Sequence, residues 1–182
     1  MRKKSIILWI IFLVIADQGT KLIVANYFIN TKFDIIDSVV GFHPIYNDKF
    51  SYFNAILNLD LGLFPHLIVL IIVQLSVLFF QGYFNKINVS NKLSDVVFIF
   101  GQAATICVFC GFFFWEKGVL DFIFLRPFTV DFKDIYLNCF GFLLLIFLFS
   151  HKTKIDTSPL KMGGYFKIIW KDFTAFLNKI NK

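Results

Sequence analysis

The sequence predicts an all-α integral membrane protein: four transmembrane helices, an outer-face loop region and a C-terminal amphipathic helix lying in the membrane interface. Three observations predict it. Of the 182 residues, 58% are hydrophobic and 16% charged, whereas a soluble domain runs to roughly 45–50% apolar and about 25% charged. Aromatic residues make up 20% of the chain, with 27 Phe among them, and that surplus has to be buried in lipid or between helices. Four stretches also approach the ~20 apolar residues needed to cross a hydrocarbon core of about 30 Å. A soluble globular enzyme is excluded by this composition. The net charge of +6 is read as marking a membrane side rather than a nucleic-acid partner, and no phosphate-cradling or nucleic-acid motif is visible.

The first span covers about residues 5–28, apolar through Ala16 and again from Leu22, with Asp17-Gln18-Gly19-Thr20-Lys21 between. Arg2, Lys3 and Lys4 ahead of an apolar run also suit a signal peptide, but no small-residue cleavage site follows and the run continues past Lys21. The second span is about 61–80. The third, about 96–115, is charge-free through its apolar run Val96–Trp115, and the fourth, about 135–150, is short. Residues 1–150 thus form the transmembrane domain and 151–182 a basic tail. In the tail Phe166, Ile169, Trp170, Phe173, Phe176, Leu177 and Ile180 recur at helical spacing, with Lys167, Lys171, Asp172 and Lys179 on the other face. That is the pattern of an interfacial helix drawn to anionic lipid, with Gly163-Gly164 as its hinge; a soluble partner-binding helix is the competing reading.

Orientation follows from the basic residues. With both termini on one side, that side holds Arg2, Lys3, Lys4, Lys86, Lys92 and the seven lysines from Lys152 onward. The other side holds Lys21, Lys32, Lys49, Lys117, Arg126 and Lys133, half as many. Both termini are therefore expected in the cytoplasm. Nine of the twelve acids fall on the opposite, outer side: Asp17, Asp34, Asp37, Asp48, Asp60, Glu116, Asp121, Asp131 and Asp134.

Polar groups near a membrane carry a cost, so these are where function is sought. Asp17 and Lys21, four apart on one helix face, can pair as a structural ion pair or face a substrate. Asp131 and Asp134 share a face at the start of the fourth span, where capping explains one carboxylate more easily than two. Clustered carboxylates suit aspartic chemistry, in which two carboxyls share a proton and activate a water. Cys107 and Cys110 form a C-x-x-C inside a span, and with Cys139 read as small apolar core residues. His43, His66 and His151 have no ligand spacing, so no metal and no cofactor is expected.

These residues carry a resemblance. Asp17-Gln18-Gly19-Thr20-Lys21 resembles the D-Q-x-T-K signature of the lipoprotein signal peptidases, the signal peptidase II family of bacterial inner-membrane aspartic proteases. Tyr46-Asn47 with Phe50-Ser51 loosely resembles that family's Asn-containing outer-loop motif, without its usual Gly-Ala-Ala. Val119-Leu120-Asp121-Phe122-Ile123 resembles V-V-D-F-I. Asp131-Phe132-Lys133-Asp134 is similar to F-N-x-A-D, with Asp131 at the Asn and Asp134 at one catalytic aspartate. The family's other catalytic aspartate lies in a G-N-x-x-D-R motif ending the third span; here Phe112 or Trp115 stands in its place, depending on register.

The resemblance implies a multi-pass protein of the bacterial inner membrane whose substrate is a lipid-modified prolipoprotein signal peptide entering from the bilayer. Three readings follow. In one, an aspartic endopeptidase has rebuilt its dyad by pairing Asp134 with Asp121, Asp131 or Glu116, with Asn47, Asp17 and Lys21 facing the substrate. In the second, a catalytically silent relative binds lipidated signal peptides or lipid. In the third, the chain is a structural membrane subunit.

Overall fold

The computed structural model describes residues 3–49, 54 and 56–180, the side chains of 156, 157, 172, 173 and 175–180 excepted. Four helices are long and apolar enough to cross a membrane. The first, α1 (Lys3–Ile23), continues through a π-helical turn at Val24–Phe28. α2 spans Leu63–Lys86, α3 Lys92–Phe114 and α4 Phe132–Thr157, longer at both ends than the short apolar run within it. Pro65 sits in the first turn of α2, where backbone N–H groups have no intrahelical acceptor to lose. Asn91 starts α3 by a capping box: its side chain accepts from the Ser94 N–H while Ser94 Oγ accepts from the Asn91 N–H.

α3 is the central helix. Half of its spanning window is buried, against 11–17% for the other three, whose apolar faces such as Ile7, Leu8, Phe12 and Ile15 of α1 look outward as lipid-facing surfaces do. Small residues make the centre possible: a Cβ on Gly101 would lie 2.9 Å from the Phe140 ring of α4, so glycine permits the close approach. Ala103, Ala104 and Cys107 pack with Tyr136 in mid-bundle. All three cysteines are free thiols.

The segments read as outer loops fold as a four-stranded antiparallel sheet, β1 (Phe33–Ile36), β2 (Val40–Asn47), β3 (Val119–Leu125) and β4 (Phe128–Val130), in the order β1-β2-β3-β4. β2 and β3 are separated in the chain by α2 and α3, and they pair with Ile45 opposite Asp121 and Asn47 opposite Val119. A tight turn from Trp115 leads α3 into β3. Gly118 in that turn has φ +98° and a Cβ there would lie 2.6 Å from the Asn47 carbonyl oxygen, so both conformation and space require glycine. Strand alternation then sorts β3: Leu120 and Phe122 enter a core with Val24, while Asp121 faces the other way.

At the opposite end of the bundle, Tyr83, Phe84, Val89, Val97 and Phe147 form a core under α5 (Met162–Ile180). Gly163-Gly164 lie inside α5 and do not form a hinge; the chain turns before them, at Ser158–Lys161, where the Leu160 carbonyl accepts from Tyr83 Oη. Tyr165 packs against Phe79 and Tyr83, which leaves Phe166, Ile169 and Trp170 outward. Phe173, Phe176, Leu177, Ile180, Asp172 and Lys179 lie outside the described side chains, as Phe50 and Ser51 lie outside the described residues.

Candidate active site at the sheet end of the bundle

α1, β3 and the start of α4 bring four aspartates and two lysines together. Lys21 is wholly buried and reaches Asp17 at 2.8 Å and Asp131 at 2.6 Å, both also wholly buried. Lys133, whose side chain is 12% exposed, reaches Asp131 at 2.8 Å, Asp134 at 3.3 Å and Asp121 at 3.4 Å. Asp131 is shared between the two ammonium groups. These six ionisable groups can gather in a largely buried cluster because each carboxyl group faces at least one ammonium.

Backbone geometry aims each group. Asp131 and Asp134 form a reciprocal capping box at the start of α4, each side chain accepting the other's backbone N–H at 3.1–3.2 Å. Capping thus accounts for both carboxylates locally, which the sequence spacing did not suggest, and it leaves spare capacity. Asp131 turns its second oxygen to the lysines. Asp134 uses Oδ2 for both the cap and Lys133, and Oδ1 accepts no hydrogen bond among the described residues. Asp17 accepts from Gln18 at 2.7 Å and from the Lys133 backbone N–H at 3.2 Å, tying α1 to α4. Trp115 Nε1 donates to Gln18 Oε1, tying in the end of α3.

Asp121 receives a hydrogen bond from Asn47 Nδ2 at 3.0 Å across the β2–β3 pair. One carboxylate oxygen from each of Asp121, Asp131 and Asp134 lies within 4.8 Å of the others. Burial, added to by the neighbouring Asp131 and Asp134 charges, outweighs the pull of Lys133 and pushes the Asp121 carboxyl up to about 6. Burial acts on Asp131 in the same sense, but the Lys133 and Lys21 ammoniums overcome it and hold that carboxyl below the usual range. Three converging carboxylates could in principle ligate a cation, yet Lys133 Nζ is already within 3.4 Å of all three, so a metal ion there would have to displace the ammonium.

Beside this cluster a cavity of about 480 Å³ runs between α2, α3 and α4. Leu70, Val73, Ala104, Val108 and Phe112 form its walls, and Lys133 and Asp134 are the charged groups at its head. Its predominantly apolar lining with few convergent polar groups is the usual form of a binding site.

The structure therefore gathers Asp134, Asp121, Asp131, Asp17, Lys21 and Asn47 in one network. Asp17 and Lys21 lie wholly buried inside it. Glu116 is exposed in the turn after α3 and stands outside the cluster. Phe112 lines the cavity and Trp115 binds Gln18, so neither position at which the resemblance seeks a second aspartate carries an acid. The residue that sequence reading passed over is Lys133. Its position between Asp131 and Asp134, inside the segment already singled out, was the available signal.

No family model matches the chain, and no curated protein matches it. Solved structures do. One, a bacterial membrane enzyme determined by the in meso method at 1.9 Å, is 22% identical with a TM-score of 0.65, over 81% of this chain and 94% of that one. A second, also a bacterial membrane enzyme determined in meso, at 2.3 Å, is 20% identical with a TM-score of 0.65, over 88% and 97%. The chain has the fold of these membrane enzymes.

Proposed function

We propose that this protein is a signal peptidase II-like intramembrane aspartic endopeptidase acting on lipid-modified prolipoprotein signal peptides in a bacterial inner membrane, with both termini cytoplasmic. One observation carries the reading: Asp134, whose Oδ1 accepts no hydrogen bond among the described residues, stands at the head of an apolar cavity within carboxylate-to-carboxylate reach of Asp121. In that arrangement Asp134 takes a proton from a water as its oxygen adds to the scissile carbonyl, and protonated Asp121 delivers its proton to the carbonyl oxygen. As the resulting gem-diol collapses, Asp121 takes back a hydroxyl proton, Asp134 gives its proton to the amide nitrogen, and the C–N bond breaks to release acid and amine. The Asp121 carboxyl, pushed up to about 6 by burial, keeps that proton to higher pH than an ordinary carboxyl does and holds it most fully below pH 6. Asn47 orients Asp121, and the apolar walls suit a peptide helix and acyl chains arriving from the bilayer.

A second reading, a silent relative that binds lipidated signal peptides without cutting them, is favoured by the Lys133 ammonium, which contacts all three carboxylates. Cleavage of a lipid-modified prolipoprotein by the purified, reconstituted protein separates the two. The peptidase reading expects processing by the wild type that is lost in Asp134→Asn and Asp121→Asn. Binding without cleavage by the wild type overturns it in favour of the silent relative.

A further inference from the structure

We propose that Lys133 is a positioning residue of this site: its ammonium, lodged between Asp121 and Asp134, stands where a two-carboxylate centre holds a shared proton, and it draws Asp121 toward its charged form, so that the Asp121 proton is held less tightly than burial alone would hold it. The proposal rests on the peptidase reading for its catalytic meaning, and on geometry for its physical content.

An ammonium has three N–H donors, and Lys133 faces three carboxylates at unequal distances: 2.8 Å to Asp131, 3.3 Å to Asp134 and 3.4 Å to Asp121. Asp131 is held by a second ammonium, Lys21 at 2.6 Å, and is committed to the cap as well. Its charge is thereby consumed within the scaffold. The two remaining carboxylates then divide what Lys133 has left. Asp134 additionally receives the Asp131 backbone N–H and sits at a helix start, where the dipole favours a negative charge. Asp121, on a strand, has a Lys133 contact of nearly the same length but no backbone N–H and no helix start, only one amide from Asn47. The proton therefore goes to Asp121.

Every neighbouring element enters this balance. α1 contributes Asp17 and Lys21, with Cys107 of α3 beside Asp17. His66 of α2 lines the same cavity, β3 contributes Asp121, and the start of α4 contributes Asp131 and Asp134. Lys133 itself is anchored through its backbone N–H to Asp17. Its place is thus set by α1, and the pattern is more than a mobile lysine meeting nearby acids.

The test is the titration of Asp121 in full-length protein in lipid bilayer discs, read by infrared spectroscopy with aspartate carboxyls labelled with carbon-13. The band absent from Asp121→Asn identifies the group. An opposite charge this close lowers a carboxyl by about one to three pH units. Lys133→Met and Lys133→Gln are therefore expected to raise the Asp121 midpoint by at least about one unit, and Lys133→Arg, which keeps the charge, to restore it to within about 0.3 unit. Folded neutral variants that leave the midpoint unmoved overturn the proposal.

Should the neutral variants not fold, solid-state NMR on the wild type measures the coupling between Lys133 Nζ and the Asp121 carboxyl carbon; its absence overturns the proposal equally. Cleavage assays run in parallel keep the two readings apart. If the wild type cleaves, the alkaline limb of its kcat/KM profile should move upward with the Asp121 midpoint in the neutral variants. If it does not, the peptidase reading fails while the infrared result still decides the role of Lys133.

Discussion

The charged network has two halves, one built on Lys21 and one on Lys133, joined through Asp131. Lys21 and its partners Asp17 and Asp131 are wholly buried, at 2.6–2.8 Å, with no access to the cavity. The Lys133 half is looser, with contacts out to 3.4 Å, and opens on the cavity through Lys133 and through Asp134, whose side chain is 33% exposed. The same two residue types thus do different work. Closed and tight, they fasten α1 to the start of α4; open and loose, they leave Asp134 Oδ1 without a hydrogen bond among the described residues. Burial and geometry, more than charge, distinguish scaffold from site.

The contrast can be broken first at its closed end. Lys21→Met leaves Asp17 without its ammonium and Asp131 with one fewer, both still buried, and removing one partner of a buried pair costs about 3–5 kcal/mol. Denaturant unfolding in mixed micelles should show a loss of that size or no folded protein; near-wild-type stability would mean that the Lys21 half is no fastener.

At the open end, Asp134→Asn should keep the fold and reduce cleavage at least about 100-fold, the range expected for losing a general acid or base. Matched unfolding curves and cleavage rates check both halves of that expectation, and a variant that unfolds without a specific loss of rate would reassign Asp134 to the cap alone.

A smaller effect comes from pH. The Asp121 carboxyl titrates near 6 in the fold and near 3.9 in an unfolded chain. Between those values the folded state binds the extra proton, so this group's contribution is fully present below the unfolded value and is lost as pH rises through about 6. Asp131 runs the other way: its contribution is present above the usual carboxylate value and lost as pH falls, because its folded carboxyl is held low. Unfolding measured from pH 4 to 8 should therefore show a decline through pH 6 that Asp121→Asn abolishes, with any acid-side loss retained.

The smallest expected effect is at Glu116. It is exposed and outside the cluster, so Glu116→Gln should change cleavage less than about twofold, as exposed substitutions usually do. A loss as large as that of Asp134→Asn would return it to the site.

Much of this was readable in the chain. Apolar runs of membrane-crossing length announced four helices because lipid imposes one solution on the backbone, and the Asp17/Lys21 spacing announced an ion pair because i and i+4 share a helix face. The sheet was not announced. Its strands are separated by two helices, and β2 and β3 recognise each other only once the bundle has formed. Nor did spacing show that Asp131 and Asp134 cap each other, since a carboxylate in a capping box and one in an active site look alike in one dimension. Lys133 was invisible for a related reason: beside acids in sequence it resembles any solvated charge, and its meaning came from Asp121 arriving twelve residues away on a strand.

By itself, then, the sequence determined the solvent this protein lives in, the helices that cross it and the membrane face where its acids gather, because those follow from local composition and period. Which carboxylate lies beside which, which lysine is sealed and which opens on the cavity, and where the apolar wall meets the charges were decided by tertiary structure alone. Those properties depend on distances of about 3 Å between groups on α1, β3 and α4, and no pattern along one chain encodes a distance across three elements.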